Sequence, residues 1–376
     1  MAVQKSYHSI CRWTFHAGAG GFVPANIRPD WHADKLNTAD VVRLIAEEIR
    51  PRLPENIELG LEVHYDNEVN EQNMQRVSRA LQKTGIRLAM LTPGAHIHFA
   101  YGGIASMDEE ERKKALAFGD GAIELAYGEM KNCWHPELPP TLVLWNGSWG
   151  YDLATPGVRQ MYQNLKRGVA DFCRYEAEKG GECFIAIEPK PNEGHAAMLL
   201  PTVASTIAFW RKLESEFGIS LEKKGLNKEF GHSEMIGLDP VYDTMEEIDN
   251  DMLVHMHVNS QGYNDGIQLG GPGKFDIDNG VRINGMNIAI ARLVQNSGYN
   301  RWKGHDMQPR PYDNEEQAID RVVRSILSWE ACEQAAAELD EALLLTHLSS
   351  RETAQAEDLL RRAVVSAQQF FDQMYG

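Results

Sequence analysis

Short apolar runs alternate with longer helix-patterned segments along most of this chain, and several of the runs finish in polar or charged residues. The runs are Ile10 to Phe15, Ile57 to His64, Ile86 to Leu91, Thr141 to Trp145, Cys183 to Glu188, Gly225 to Glu229, Met252 to Val258 and Trp302 to Met307. Between them lie amphipathic stretches such as Val69 to Lys83, Glu109 to Ala126, Val158 to Glu178, Val203 to Phe217 and Met286 to Gln295, the last stopped by Asn296-Ser297-Gly298. Such alternation is the βα signature. Eight units over residues 1–330 predict an α/β protein, a (β/α)8 TIM barrel, whose chemistry sits at the carboxyl ends of the strands. Polar residues fall there: His64, Asp66, Trp145, Glu188, Lys190, Glu229, His257, Asn259 and Asp306.

From about Glu330 the composition shifts to Ala, Leu, Glu, Gln and Arg in a long helical pattern. Residues 331–376 therefore read as a C-terminal helical extension. Its functional reading is an arm that wraps a neighbouring subunit in a homodimer or homotetramer; an arm packed on its own barrel is the alternative. The 43% hydrophobic content of the 376 residues supplies a large core. A net charge of −17 argues against nucleic acid or an anionic membrane as partner and favours a neutral or cationic ligand or a metal cation. The five scattered cysteines fit no zinc or disulfide framework and read as reduced thiols. No apolar run approaches the roughly 18 residues that cross a bilayer, and the amino terminus lacks a signal pattern, so a cytoplasmic location is expected. The glycine-rich stretch Gly262 to Gly273 carries no nucleotide-binding pattern.

In Ile187-Glu188-Pro189-Lys190-Pro191 a carboxylate and an ammonium stand two residues apart, on one side of an extended chain stiffened by prolines. That pairing suits metal binding beside carbonyl polarisation; it also reads as a surface ion pair at a strand exit. Glu229-Phe230-Gly231-His232 sets a carboxylate and an imidazole three residues apart, and Asp276-Ile277-Asp278 sets two carboxylates on one side of a segment, either as ligands or as solvated turn chemistry. Glu188, Glu229 with His232, His257, Asp276 with Asp278, and Asp306 arrive at successive strand ends. Oxygen ligands with a few imidazoles suit hard or borderline divalent ions.

The segments Ile187 to Glu193, Gly225 to Met235, Gly304-His305-Asp306-Met307-Gln308-Pro309-Arg310 and Thr141 to Trp145 resemble the xylose isomerase family. The resemblance implies a barrel that holds two divalent cations per subunit (Mn²⁺, Co²⁺ or Mg²⁺) and interconverts aldoses and ketoses, usually as a tetramer. By matching position, Glu188 would be a ligand of the first ion, Glu229 would bridge both, and Asp306 would complete the first site. His232, Asp276 and Asp278 would hold the second ion. Lys190 would hydrogen-bond the sugar O1, His64 with nearby Asp66 would assist ring opening, and Trp145 would wall the substrate.

Two departures stand out. Where the family has an aspartate ligand on the seventh strand, this chain reads His255-Met256-His257-Val258-Asn259, which resembles the rhamnose isomerase branch and makes His257 the ligand with Asn259 beside substrate. The loop from His257 to Asp276 is long, which opens Asp265 as an alternative ligand. Asp239 becomes a candidate if the sixth strand is Met235 to Leu238. In the amino-terminal third, Phe15-His16-Ala17-Gly18 replaces the family's substrate tryptophan, and His96 and His98 follow the third strand as substrate contacts or ordinary loop histidines. The expected activity is a metal-dependent sugar isomerase working by hydride shift. Epimerisation, dehydration or cleavage of a modified sugar is the alternative, and non-catalytic sugar binding a further one.

Overall fold

The computed structural model describes residues 5–15, 36–192, 195–261, 278–310 and 313–376. Eight parallel strands close into a barrel: β1 Ser6–Cys11, β2 Ile57–Tyr65, β3 Arg87–Pro93, β4 Thr141–Trp145, β5 Phe184–Glu188, β6 Lys224–Glu229, β7 Leu253–His257 and β8 Lys303–His305, each bonded to the next and β1 to β8. The carboxyl ends of β4 and β5 coincide in register, with Trp145 opposite Glu188, and so do those of β6 and β7, with Glu229 opposite His257; between the two pairs the register steps, Ile187 standing opposite Leu226. Side chains that the sequence spreads over more than a hundred positions thereby meet at one mouth.

The expected and observed strands agree best where the run is apolar and ends in a charge. β1 is the exception: it begins four residues before the expected Ile10, and Arg12–Phe15 is a 3-10 turn. Its polar residues are buried because each has a partner: Ser6 donates to Glu330 Oε1 at 2.5 Å, His8 Nε2 lies 2.8 Å from the same oxygen, and Ser9 donates to Glu62 Oε1 at 2.6 Å. A strand satisfied by side chains from other elements shows no alternation in its own sequence. The sixth strand is Lys224–Glu229, and Asp239 instead caps the following helix by accepting from the Val241 amide. Asp239 is thus an exposed helix cap and, among the described residues, joins no donor group.

The helices are α1 Thr38–Leu44, α2 Met74–Thr84, α3 Glu109–Tyr127, α4 Val158–Lys179, α5 Val203–Phe217, α6 Phe230–Met235, α7 Pro240–Asp249, α8 Gly285–Ser297, α9 Glu315–Glu338, α10 Glu341–Ser349 and α11 Thr353–Tyr375. Long apolar stripes on α4, α5, α8 and α9 pack on the outer face of the barrel, burying residues such as Leu165, Trp210, Ile290 and Trp329. Inside the barrel, Met90, Val143, Ala186 and Val254 form a small apolar layer against which Trp13 rests. α9 opens on a capping box between Asn314 and Gln317 and runs unbroken past residue 330. α11 lies along α9, burying Ala363, Ala367 and Phe371, and Tyr375 donates to Asp320 Oδ1 at 2.8 Å. Among the described residues no helix is long and apolar enough to cross a membrane.

Candidate metal and sugar site

Strands β5 to β8 each deliver one metal-type donor to the mouth. Glu188 ends β5, Glu229 ends β6, His257 ends β7 and Asp306 follows β8; all four are buried. His257 Nδ1 stands 3.4 Å from Glu188 Oε2, 3.2 Å from Glu229 Oε2 and 3.6 Å from Asp306 Oδ2. One turn into α6, His232 Nε2 lies 3.0 Å from Glu229 Oε1, while its Nδ1 donates to the Pro189 carbonyl at 3.0 Å. Two donor groups result, Glu229–His257–Asp306 and Glu188–Glu229–His232, sharing Glu229.

The residues present fit divalent ions on two counts. Donors each about 2.1 Å from a common ion stand roughly 3 to 3.5 Å from one another, the spacing seen around His257 Nδ1. The charges also call for a cation: burial, followed by Glu229, pushes the Glu188 carboxyl up, and the same two causes push Asp306 well above the usual carboxylate range. Three acids crowded in a buried pocket are costly without a counter-charge, and the same crowding acts on His257: burial opposes its charge, but Glu62, Glu229 and Glu188 push it well above the ordinary imidazole range.

Around these donors sits a layer that the sequence analysis did not single out. Asn227 donates to Glu188 Oε2, and its amide nitrogen lies 3.1 Å from His257 Nδ1. Trp13 donates to Asp306 Oδ1 at 2.7 Å. Its indole is also 4.3 Å from the His64 ring, so the turn that follows β1 supplies a tryptophan to the mouth, two residues before the expected replacement at Phe15. Burial opposes the charge of Glu62, but the facing His257 and His255 outweigh it and hold this carboxyl well below its ordinary range.

The remaining expected site residues divide. His64, His96, Trp145 and Lys190 form a continuous wall: His64 to His96 is 5.5 Å between rings, His96 to Trp145 is 4.4 Å, and Lys190 Nζ is 5.1 Å from the Trp145 ring. Asp66 is 44% exposed and pairs with His98 at 3.7 Å. The acid that holds His64 is Glu68, because the chain turns back on the His64 carbonyl and brings Glu68 Oε2 to 2.7 Å from the His64 amide and 3.2 Å from its Nδ1. Asn259 is fully buried, accepts from the Gly231 amide and donates to Glu229 Oε1 at 2.9 Å and Asp278 Oδ1 at 3.3 Å. Its amide is thus hydrogen-bonded to the Gly231 backbone, Glu229 and Asp278, at a position expected from the sequence to contact substrate. Asp278 is reached through Asn259 and Gln261 and, among the described residues, joins neither donor group. Asp276 and Asp265 lie outside the described residues.

Burial, then His64, Lys190 and His98, lower His96 to about 3. Because an unfolded histidine titrates near 6.5, the unfolded chain binds the extra proton between those values, and folding stability from this group is lost as pH falls from about 6.5 toward 3. His96→Gln is expected to recover on the order of 2–4 kcal/mol of the acid-induced loss. Thermal melts of both proteins from pH 7.5 to 4.5 check this; parallel curves would dismiss it.

Residues 54–329 match the profile of the xylose isomerase-like TIM barrel family. A xylose isomerase from Thermus caldophilus is 28% identical over 261 residues, a match that takes in 65% of this chain and 59% of that enzyme. Solved structures share the fold at low identity. An L-ribulose 3-epimerase superposes with a TM-score of 0.59 at 12% identity, covering 89% of this chain and 97% of that one. A D-allulose 3-epimerase from Methylomonas sp. gives 0.57 at 13% identity, covering 88% and 100%. For the 3-keto-D-glucoside 4-epimerase from E. coli the score is 0.53 at 14% identity, with 86% and 99% covered. With a profile match across most of its length and a closed eight-stranded barrel behind it, this chain belongs to the xylose isomerase-like TIM barrel family.

Proposed function

We propose that the protein is a divalent-metal-dependent sugar isomerase that interconverts an aldose and a ketose. The observation that carries this reading is Lys190, a buried ammonium two residues past Glu188, set against the Trp145 ring where the carboxylate cluster meets the aromatic wall. Ions held by Glu188, Glu229, His257 and Asp306, with His232 on the second, would supply Lewis-acid polarisation of neighbouring sugar oxygens. Lys190 meets the negative charge that grows on the carbonyl oxygen during transfer between adjacent carbons. His64, oriented by Glu68, takes part in the proton movement of ring opening. Trp13 and Trp145 cover the sugar and keep water out, and His96, held neutral, offers a hydrogen-bonding nitrogen without opposing Lys190.

A second reading, epimerisation through proton transfer next to a carbonyl, draws on Glu188, whose raised carboxyl suits a base that takes and returns a proton. The relatives of similar fold that are named as sugar epimerases point the same way.

Proton NMR in D₂O separates the two. Metal-stripped protein is reloaded with Mn²⁺, Co²⁺ or Mg²⁺ and presented with a panel of aldoses and ketoses. Aldose–ketose conversion without deuterium in the product is the expected result. Deuterium at the reacting carbon would transfer the assignment to proton abstraction, and no turnover on any sugar with any ion would end the isomerase reading.

A further inference from the structure

We infer that Glu62, on the second strand, is a positioning residue that dictates which nitrogen of His257 faces the carboxylates. The inference rests on the metal-centre reading above. Four donors converge on this fully buried side chain: Ser9 Oγ at 2.6 Å and His255 Nε2 at 3.1 Å on Oε1, His257 Nε2 at 2.8 Å and Cys11 Sγ at 3.5 Å on Oε2. An ionised carboxylate accepts and cannot donate. His257 must therefore keep a proton on Nε2 and present Nδ1 to Glu188, Glu229 and Asp306. The Asn227 amide nitrogen, which donates to Glu188 Oε2, also lies 3.1 Å from that Nδ1.

The two sides of the imidazole differ in number and closeness of contacts. On the Nδ1 side three carboxylate oxygens lie at 3.2 to 3.6 Å, the distance between donors around one ion, with the nearest, Glu229 Oε2, within hydrogen-bond reach. On the Nε2 side Glu62 lies at 2.8 Å, a direct hydrogen bond. Cys11, Glu62 and His257 stand close enough together to hold an ion, yet that short contact assigns them to hydrogen bonding.

Room for this contact comes from Gly304, the register partner of His257 on β8. A Cβ there would lie 2.3 Å from Glu62 Oε1 and 2.7 Å from His257 Cδ2. Function follows from charge. This chain has a histidine at a ligand position where its resemblance suggests an aspartate, and a carboxylate bonded to the far nitrogen makes an imidazole a stronger metal donor. Glu62 thus returns, from one bond away, much of the negative charge that His257 lacks.

The test uses the full-length protein loaded with Co²⁺. An imidazole bound to Co²⁺ through one nitrogen shows a strongly shifted, exchangeable proton on the other. His257 bonded to Glu62 and His232 bonded to the Pro189 carbonyl should each give such a signal, and His232 serves as the internal control. Glu62→Gln is expected to lower Co²⁺ affinity 10- to 100-fold and to remove or displace the His257 signal alone, while Glu62→Asp restores part of both. Unchanged affinity and an unchanged signal in Glu62→Gln would overturn the positioning role. So would Co²⁺-loaded wild type with no exchangeable His257 signal, a result that needs no variant to fold. Failure of the wild type to bind Co²⁺ at all would instead bring down the metal centre, and the positioning role with it.

Discussion

Replacing Lys190 with methionine is expected to lower kcat by about 10²- to 10³-fold, the cost of removing one fixed donor from developing oxyanion charge, while divalent-metal affinity stays within a few-fold. The asymmetry comes from where the ammonium sits. Lys190 Nζ packs over the Trp145 ring and is a smaller influence on Glu188 than burial, Glu229, His257 or His232. Removing it takes a positive charge away from a cation site, so ion binding is held or slightly improved. Methionine keeps the length and the apolar stem that packs on the indole. Steady-state kinetics with each loaded ion, together with calorimetric titration of the ion into both proteins, measure the two effects separately. Loss of the ions from Lys190→Met would show that the ammonium supports the metal site and does not act on substrate.

What was legible in the sequence follows a physical rule. β4 and β5 are apolar runs flanked by both sheet neighbours and helices, so their burial is written in their own residues, and their last residues mark the mouth. Glu188, Glu229, His257 and Asp306 were legible for the same reason: each is a polar residue at the end of a buried run. β1 was not, because Ser6, His8 and Ser9 are satisfied by Glu330 and Glu62, partners that no local pattern reveals. Misplacing β1 also hid Trp13, which lies just past the true strand end. Glu62 did leave a signal, a carboxylate between Leu61 and Val63 in the apolar middle of its strand. Such a residue must have buried donors waiting for it, although sequence alone does not say which. That Glu68 and not the expected Asp66 sits beside His64 turns on a single reversal of the chain after His64, and spacing does not encode that reversal.

The shared carboxylate gives the other large effect. Glu229 reaches His257 with Oε2 and His232 with Oε1, so it belongs to both donor groups, whereas His232 belongs to one. Binding of some 10–16 kcal/mol spread over four ligands assigns roughly 3 kcal/mol to each, about two orders of magnitude in affinity. Glu229→Gln is therefore expected to weaken both ions by about 100-fold each, and His232→Ala to weaken only one. The ion-free proteins should rank in the opposite direction. Glu229 is the principal charge opposing ionisation of both Glu188 and Asp306, so neutralising it relieves a repulsion that the wild type bears without metal. Ion-free Glu229→Gln should then melt at or above ion-free wild type, and the rise in Tm expected of the wild type on adding Mn²⁺ should be absent from the variant. Calorimetry counts the ions and melts with and without Mn²⁺ read the repulsion. If Glu229→Gln keeps one ion at wild-type affinity, the carboxylate is not shared and the two donor groups act independently. If the ion-free variant melts well below ion-free wild type, Glu229 is held mainly by its Asn259 hydrogen bond, and the crowding of acids at the mouth is relieved by some group other than a metal.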